Sequence, residues 1–102
     1  MVIHEFEIEN LEELVSEGIV LLDFYADWCG PCKMLSPELD IVAEKNKDIK
    51  IYKINVDNNP NIARKYGVMS IPTLVLYKEG SLIKKTMGYM PSDDLEKWIQ
   101  DA

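Results

Sequence analysis

The sequence predicts an α/β domain with a mixed, five-stranded central β-sheet flanked by four helices, in the order βαβαβαββα. Three observations carry this reading. Residues 20–26 are apolar on both faces apart from Asp23, as a central strand covered on both sides must be. Strand-like and helix-like runs alternate as far as Gly67, which calls for crossover units. Beyond that point two strand-like runs are joined only through Lys78, Glu79 and Gly80, a connection short enough for an antiparallel hairpin.

Each element follows in turn. Residues 2–8 alternate roughly and read as a first strand. Asn10 with Glu13 three residues on forms a capping pair, opening a short helix that stops near Gly18. The central strand at 20–26 leads into a helix from Cys32 to about Asn46, with Leu35, Leu39, Val42 and Ala43 on its inner stripe. Pro37 removes one donor from that helix and predicts a kink rather than a break. A strand at 49–56 follows. Pro60 then opens a helix in its first turn and Gly67 closes it. Strands at 73–77 and 81–87 form the hairpin, and Leu95, Trp98 and Ile99 mark the apolar face of a last helix.

With 102 residues, 47% of them hydrophobic, and no repeat, linker or low-complexity tract, the chain reads as one domain over 1–102. The net charge of -7 and the lack of a basic cluster argue against nucleic acid as a partner. Glu5, Glu7, Glu9, Glu12, Glu13 and Glu17 all precede the first Lys or Arg, and such a run reads as a solvated face. No stretch has membrane-spanning length, and the N-terminus lacks the basic and apolar regions of a secretion signal. A cytoplasmic protein, acting as a monomer away from membranes, is expected. Disulfides in that compartment are usually transient, so a lone cysteine pair there is a poor structural staple.

The only two cysteines, Cys29 and Cys32, stand three apart where the central strand feeds the next helix. In that context the spacing points to redox chemistry. Residues i and i+3 of a helical turn are neighbours, within reach of disulfide geometry. Cys29 at the helix start meets free N–H groups and the positive end of the macrodipole, which favour a thiolate and suit it to nucleophilic attack. Cys32, deeper in the turn, suits a resolving role. Pro31 costs no hydrogen bond in a first turn, and Gly30 leaves room for another backbone to approach the sulfur. Two alternatives stand beside this: a zinc site, which wants four ligands where the chain offers two thiols and a distant His4, and a pair of inert buried thiols. No metal and no cofactor other than the Cys29–Cys32 disulfide is expected.

Asp23 is the odd residue of the central strand. Asp is depleted in strands, and a buried carboxyl has a raised pKa that lets it exchange protons near neutrality. The alternative is an Asp at a strand end in contact with water. Lys53, in the apolar third strand, is a candidate partner or else an outward lysine. Trp28 beside the reactive cysteine reads as a contact surface, with packing as its alternative, whereas Trp98 on a helical stripe reads as core.

These residues resemble the thioredoxin family along essentially the whole chain: the run Phe24, Tyr25, Ala26, Asp27, Trp28, Cys29, Gly30, Pro31, Cys32, Lys33, then Ile71, Pro72, Thr73 and Leu74, then Gly88. The resemblance implies a thioredoxin fold and a thiol-disulfide oxidoreductase, a general protein-disulfide reductase serving electron transport and cell redox homeostasis. It implies that Cys29 attacks a target disulfide and Cys32 resolves the mixed disulfide. Asp23 would assist proton transfer at the resolving thiol, with Lys53 near it. It further implies a cis bond before Pro72, which lies against the disulfide, and backbone hydrogen bonds from Ile71 to the substrate. Trp28, Ile71, Pro72 and Gly88 would contact disulfide-containing protein substrates, and a thioredoxin reductase would be the electron donor. Asp27, where glutamate is common, and Ser70 and Tyr89 near the groove depart from the family pattern without touching the chemistry.

Two rival functions are weighed against this one. Oxidants and isomerases of the same chemistry carry His between the cysteines, so Gly30 and Pro31, which tune the redox potential, argue for the reducing side. A scaffold or binding module needs no intact pair, and the intact Cys29 and Cys32 weigh against that as the sole function.

Overall fold

The computed structural model describes residues 2–3 and 11–101. Three strands run parallel: β1 (Val2–Ile3), β2 (Ile19–Tyr25) and β3 (Ile49–Asn55). Strand β4 (Thr73–Lys78) lies antiparallel to β2, and β5 (Ser81–Met87) antiparallel to β4. The five form one mixed sheet in the order β1-β3-β2-β4-β5. The helices are α1 (Leu11–Leu14), α2 (Gly30–Lys45), α3 (Pro60–Lys65) and α4 (Ser92–Gln100). The chain therefore has the predicted order and a thioredoxin-type sheet.

Strand β2 is bonded on both edges, to β3 and to β4, and its side chains alternate between two cores. Leu21 packs with Leu35, Leu39 and Val42 of α2 and with Leu95 and Ile99 of α4. Val20, Leu22 and Phe24 point the other way, joining Leu11 of α1 and Ile62 of α3. Leu21, Leu22 and Phe24 are fully buried, each worth roughly 1.5–3 kcal/mol in removed apolar surface. Asp23, two residues from Leu21, falls on the α2 side.

Strands β2, β3 and β4 differ by one residue from the sequence expectation, and three boundaries differ by more. Helix α1 stops at Leu14 rather than near Gly18, because both the backbone N–H and the hydroxyl of Ser16 donate to the Glu13 carbonyl, at 3.2 and 2.7 Å, and close a turn. Helix α2 starts two residues early, at Gly30, because Cys29 serves as its N-cap, and it runs unbroken through Pro37. The first strand is described only at Val2–Ile3; the remainder of the expected 2–8 strand and the Asn10 cap lie outside the described residues. The hairpin turns through Glu79 and Gly80, both at positive φ (50° and 82°), the handedness that matches strand twist.

Candidate active site

The site forms where the C-terminal end of β2 meets the N-terminus of α2. Cys29 is the N-cap, in extended conformation, and its Sγ accepts the Cys32 backbone N–H at 3.2 Å. A sulfur thus takes the place usually held by a Ser or Asp oxygen, satisfying one orphan donor of the first turn. Cys32 is the third residue of the helix. The two cysteines are joined as a disulfide with Cα atoms 5.3 Å apart, and both are buried in a small cluster with Ala26, against Tyr25, Val56 and Ile71. Pro31 is exposed in the first turn. Gly30 is exposed too, and an added Cβ there would meet nothing within 4 Å among the described residues, none of whose backbone uses the room it leaves.

Asp23 is 1% exposed, and neither of its carboxylate oxygens has a hydrogen-bond partner among the described residues. Burial pushes its pKa from 3.8 up to about 7, with the Lys53 charge pulling in the opposite direction. Lys53 is its register partner across the parallel β2–β3 ladder and is itself buried. The lysine does not bond the carboxylate. Its Nζ donates to the Ser36 hydroxyl at 2.8 Å and sits 4.9 Å from the centre of the Tyr25 ring. A cavity of about 320 Å³ lies at this point, lined by Cys32, Ser36, Lys53, Tyr25 and Asp27 among others. Cys32 and the lysine that neighbours Asp23 thus border the same space. Ser36 escaped the sequence reading, although its position four residues after Cys32 places it on the same helix face.

A second set of residues begins at Ile71, which meets the Cys29 sulfur, and continues through its neighbours. The Ile71–Pro72 bond is cis, as the resemblance implied, and Cys29 Sγ lies 3.7 Å from the Ile71 carbonyl oxygen. Gly88 donates its N–H to the Pro72 carbonyl at 2.9 Å and holds φ at 96°, with open space where a Cβ would stand. Trp28 is 70% exposed, which removes the packing alternative, and its ring nitrogen donates to Asp57 at 2.9 Å. Ser70 donates to the Met87 sulfur at 3.0 Å. The sheet thus brings residues from four separate stretches of chain to one end of the molecule. Trp98 is half-buried against the main core, as its helical stripe indicated, with Lys84 Nζ 4.8 Å from its ring centre.

A buried disulfide that caps its own helix, at the end of the strand that carries a buried carboxyl group, defines a thiol-disulfide oxidoreductase. No group of three or more His, Cys, Asp or Glu side chains that could hold a metal occurs among the described residues; His4 lies outside them. The Thioredoxin family model matches residues 2–101, and the chain belongs to the thioredoxin family, whose members are protein-disulfide oxidoreductases. It is 43% identical to the thioredoxin of Listeria monocytogenes over 98 residues, 95% of each chain. It is 48% identical to that of Bacillus subtilis over 85 residues, 82% of each. Its fold superimposes on the oxidised mitochondrial thioredoxin 3 of Saccharomyces cerevisiae with a TM-score of 0.89 at 36% identity, covering 99% of this chain and 95% of that one.

Proposed function

We propose that the chain works as a single-domain, monomeric, cytoplasmic protein-disulfide reductase in which Cys29 is the nucleophile, Cys32 the resolving thiol and Asp23 the proton acceptor. The Cys29 thiolate attacks one sulfur of a substrate disulfide; that S–S bond breaks and its other sulfur leaves as a thiolate that takes up a proton. Cys32 then gives its proton to Asp23 and attacks Cys29. The mixed disulfide breaks, and the second substrate thiol departs. Two electrons have passed to the substrate, and the chain holds a Cys29–Cys32 disulfide. A thioredoxin reductase, the donor that the family implies, returns two electrons and two protons.

The observation that carries this reading is the Cys32 N–H donated to Cys29 Sγ at the mouth of α2. Donors already in place there stabilise an anionic sulfur without reorganisation. The roles of the other residues draw support from position. Ile71 meets the Cys29 sulfur, Gly88 bonds the Pro72 carbonyl and Trp28 is exposed next to Cys29 in the chain; along these residues an extended substrate segment can pair with main chain and be held with broad specificity. Gly30 and Pro31 carry no charge that would favour the thiolate pair further, in keeping with a reducing potential. Lys53 tempers the Asp23 carboxyl. Thioredoxins need no other cofactor.

The test is a trap. Cys32→Ser should accumulate a mixed disulfide with a protein substrate through Cys29, while Cys29→Ser should trap little and turn over nothing. Faster alkylation of Cys32 than of Cys29 in the reduced protein would reverse the assignment.

A further inference from the structure

Lys53 and Asp23 stand opposite each other in a parallel ladder, on one face of the sheet, both almost wholly buried. An ammonium and a carboxylate so placed attract strongly, and direct pairing is the ordinary outcome. It does not occur here. Neither Asp23 oxygen is bonded, and the ion pairs among the described residues, Lys45 with Glu96 and Lys47 with Glu44, leave both residues out. The lysine head is held elsewhere, by a 2.8 Å hydrogen bond to Ser36 and by the face of the Tyr25 ring. Tyr25 is two residues beyond Asp23 on the same strand and Ser36 is on α2, so both anchors draw the ammonium along the sheet towards the cavity beside Cys32.

We propose that Ser36 is a positioning residue of the exchange reaction: its hydroxyl, with the Tyr25 ring, holds the Lys53 ammonium short of Asp23 and so keeps the carboxylate free to take the Cys32 proton. A carboxylate engaged in a salt bridge is a weak base, and one left alone in an apolar site is a strong one. The other charged or titratable groups around this position are few. Helix α2 contributes Cys32 and Lys33, the loop after β2 contributes Asp27, and β2 itself contributes Tyr25. Strand β4 presents apolar Leu74 as the register partner of Asp23. Of these, the Tyr25 ring shares with Ser36 the hold on the lysine. The inference rests on Asp23 acting as proton acceptor for its functional meaning, but the placement of Lys53 can be tested apart from activity.

The experiment follows the Asp23 side-chain carboxyl by carbon NMR across pH in the oxidised protein. Ser36→Ala keeps the helix and removes only the hydroxyl. Lys53 should then swing onto Asp23, and the carboxyl midpoint should fall by about one pH unit or more. Ser36→Thr, which restores a hydroxyl, should return the midpoint towards the parent value. In a Ser36→Ala, Lys53→Met double variant the fall should vanish. The acid limb of the rate of mixed-disulfide resolution should move with the carboxyl midpoint. An unchanged or raised midpoint in Ser36→Ala overturns the inference. A lowered midpoint with no change in the resolution profile leaves the lysine placement standing and overturns Asp23 as the acceptor instead.

Discussion

Trp28 is tied to Asp57 by a 2.9 Å hydrogen bond that links the loop before the cysteines to the turn after β3. An exposed indole is thereby held in one orientation beside the sulfur. Rigid presentation lowers the ordering cost of binding. Asp57→Ala frees the ring, and a hydrogen bond of this kind is worth about 0.5–1.5 kcal/mol. The KM for a protein disulfide should rise about two- to tenfold with kcat little changed. Reduction of a small aromatic disulfide should be unaffected. An equal effect on both substrates would show that Trp28 acts on the chemistry and not on docking.

Asp23 makes stability depend on pH in a defined direction. Its folded pKa, about 7, is above the ordinary 3.8 because burial disfavours the charge. Well below pH 3.8 both states are protonated and the group costs nothing. Between the two values the unfolded chain has lost the proton that the fold keeps, so stability falls as pH rises; above about 7 the loss is complete, on the order of 4 kcal/mol. Asp23→Ala should therefore gain on the parent in chemical denaturation as pH goes from about 4 to about 8, while slowing disulfide exchange. A stability difference that does not vary with pH would contradict the raised pKa.

Gly80 and Gly30 should respond oppositely to the same change. Gly80 holds φ at 82°, and a Cβ there would stand 2.9 Å from the Ser16 carbonyl oxygen. Gly80→Ala should cost about 1–3 kcal/mol, a loss read directly from the urea midpoint. Gly30 sits at the start of α2 with open space about it. Gly30→Ala should leave stability unchanged or raise it by up to about 1 kcal/mol. A large loss at Gly30 would mean that its backbone conformation is more demanding than its surroundings.

Phe24 is fully buried and its ring packs on Tyr66, with centroids 5.4 Å apart. Phe24→Ala should cost about 3–5 kcal/mol. Its side chain faces the α1 and α3 layer, away from Asp23, so the equilibrium redox potential of the folded variant should match the parent. A shifted potential would reveal coupling between the two layers through β2.

The elements set by local chemistry were legible in the sequence. Strand β2 announced itself because apolar residues on both faces have few other uses, and α2 because Leu35, Leu39 and Val42 keep one stripe. The hairpin followed from its short connection. Cys29 and Cys32 carried their own context. Less was visible where distant pieces meet. Ser36 reaches Lys53 across 17 residues and Trp28 reaches Asp57 across 29; each contact depends on how strands and helix are stacked, which no local pattern encodes. Lys53 reads from the sequence as a candidate partner of Asp23 or an outward lysine, and only the family resemblance sets it near that carboxyl; its diversion towards Ser36 is visible in neither. The end of α1 was missed for a smaller reason: Ser16 captures a carbonyl that the helix would have used.

The place of Asp23 in the middle strand bears on how the protein breathes. With ladders on both edges and both faces covered, β2 belongs to the part of a fold that opens only when everything opens, where amide hydrogens exchange most slowly. The cysteines are mounted instead at a helix terminus, next to loops that open more readily. The carboxyl is therefore fixed to a strand supported on both edges while the sulfurs stand beyond that strand's end. Local fluctuation can admit a partner to the thiols without moving the group proposed to take their proton.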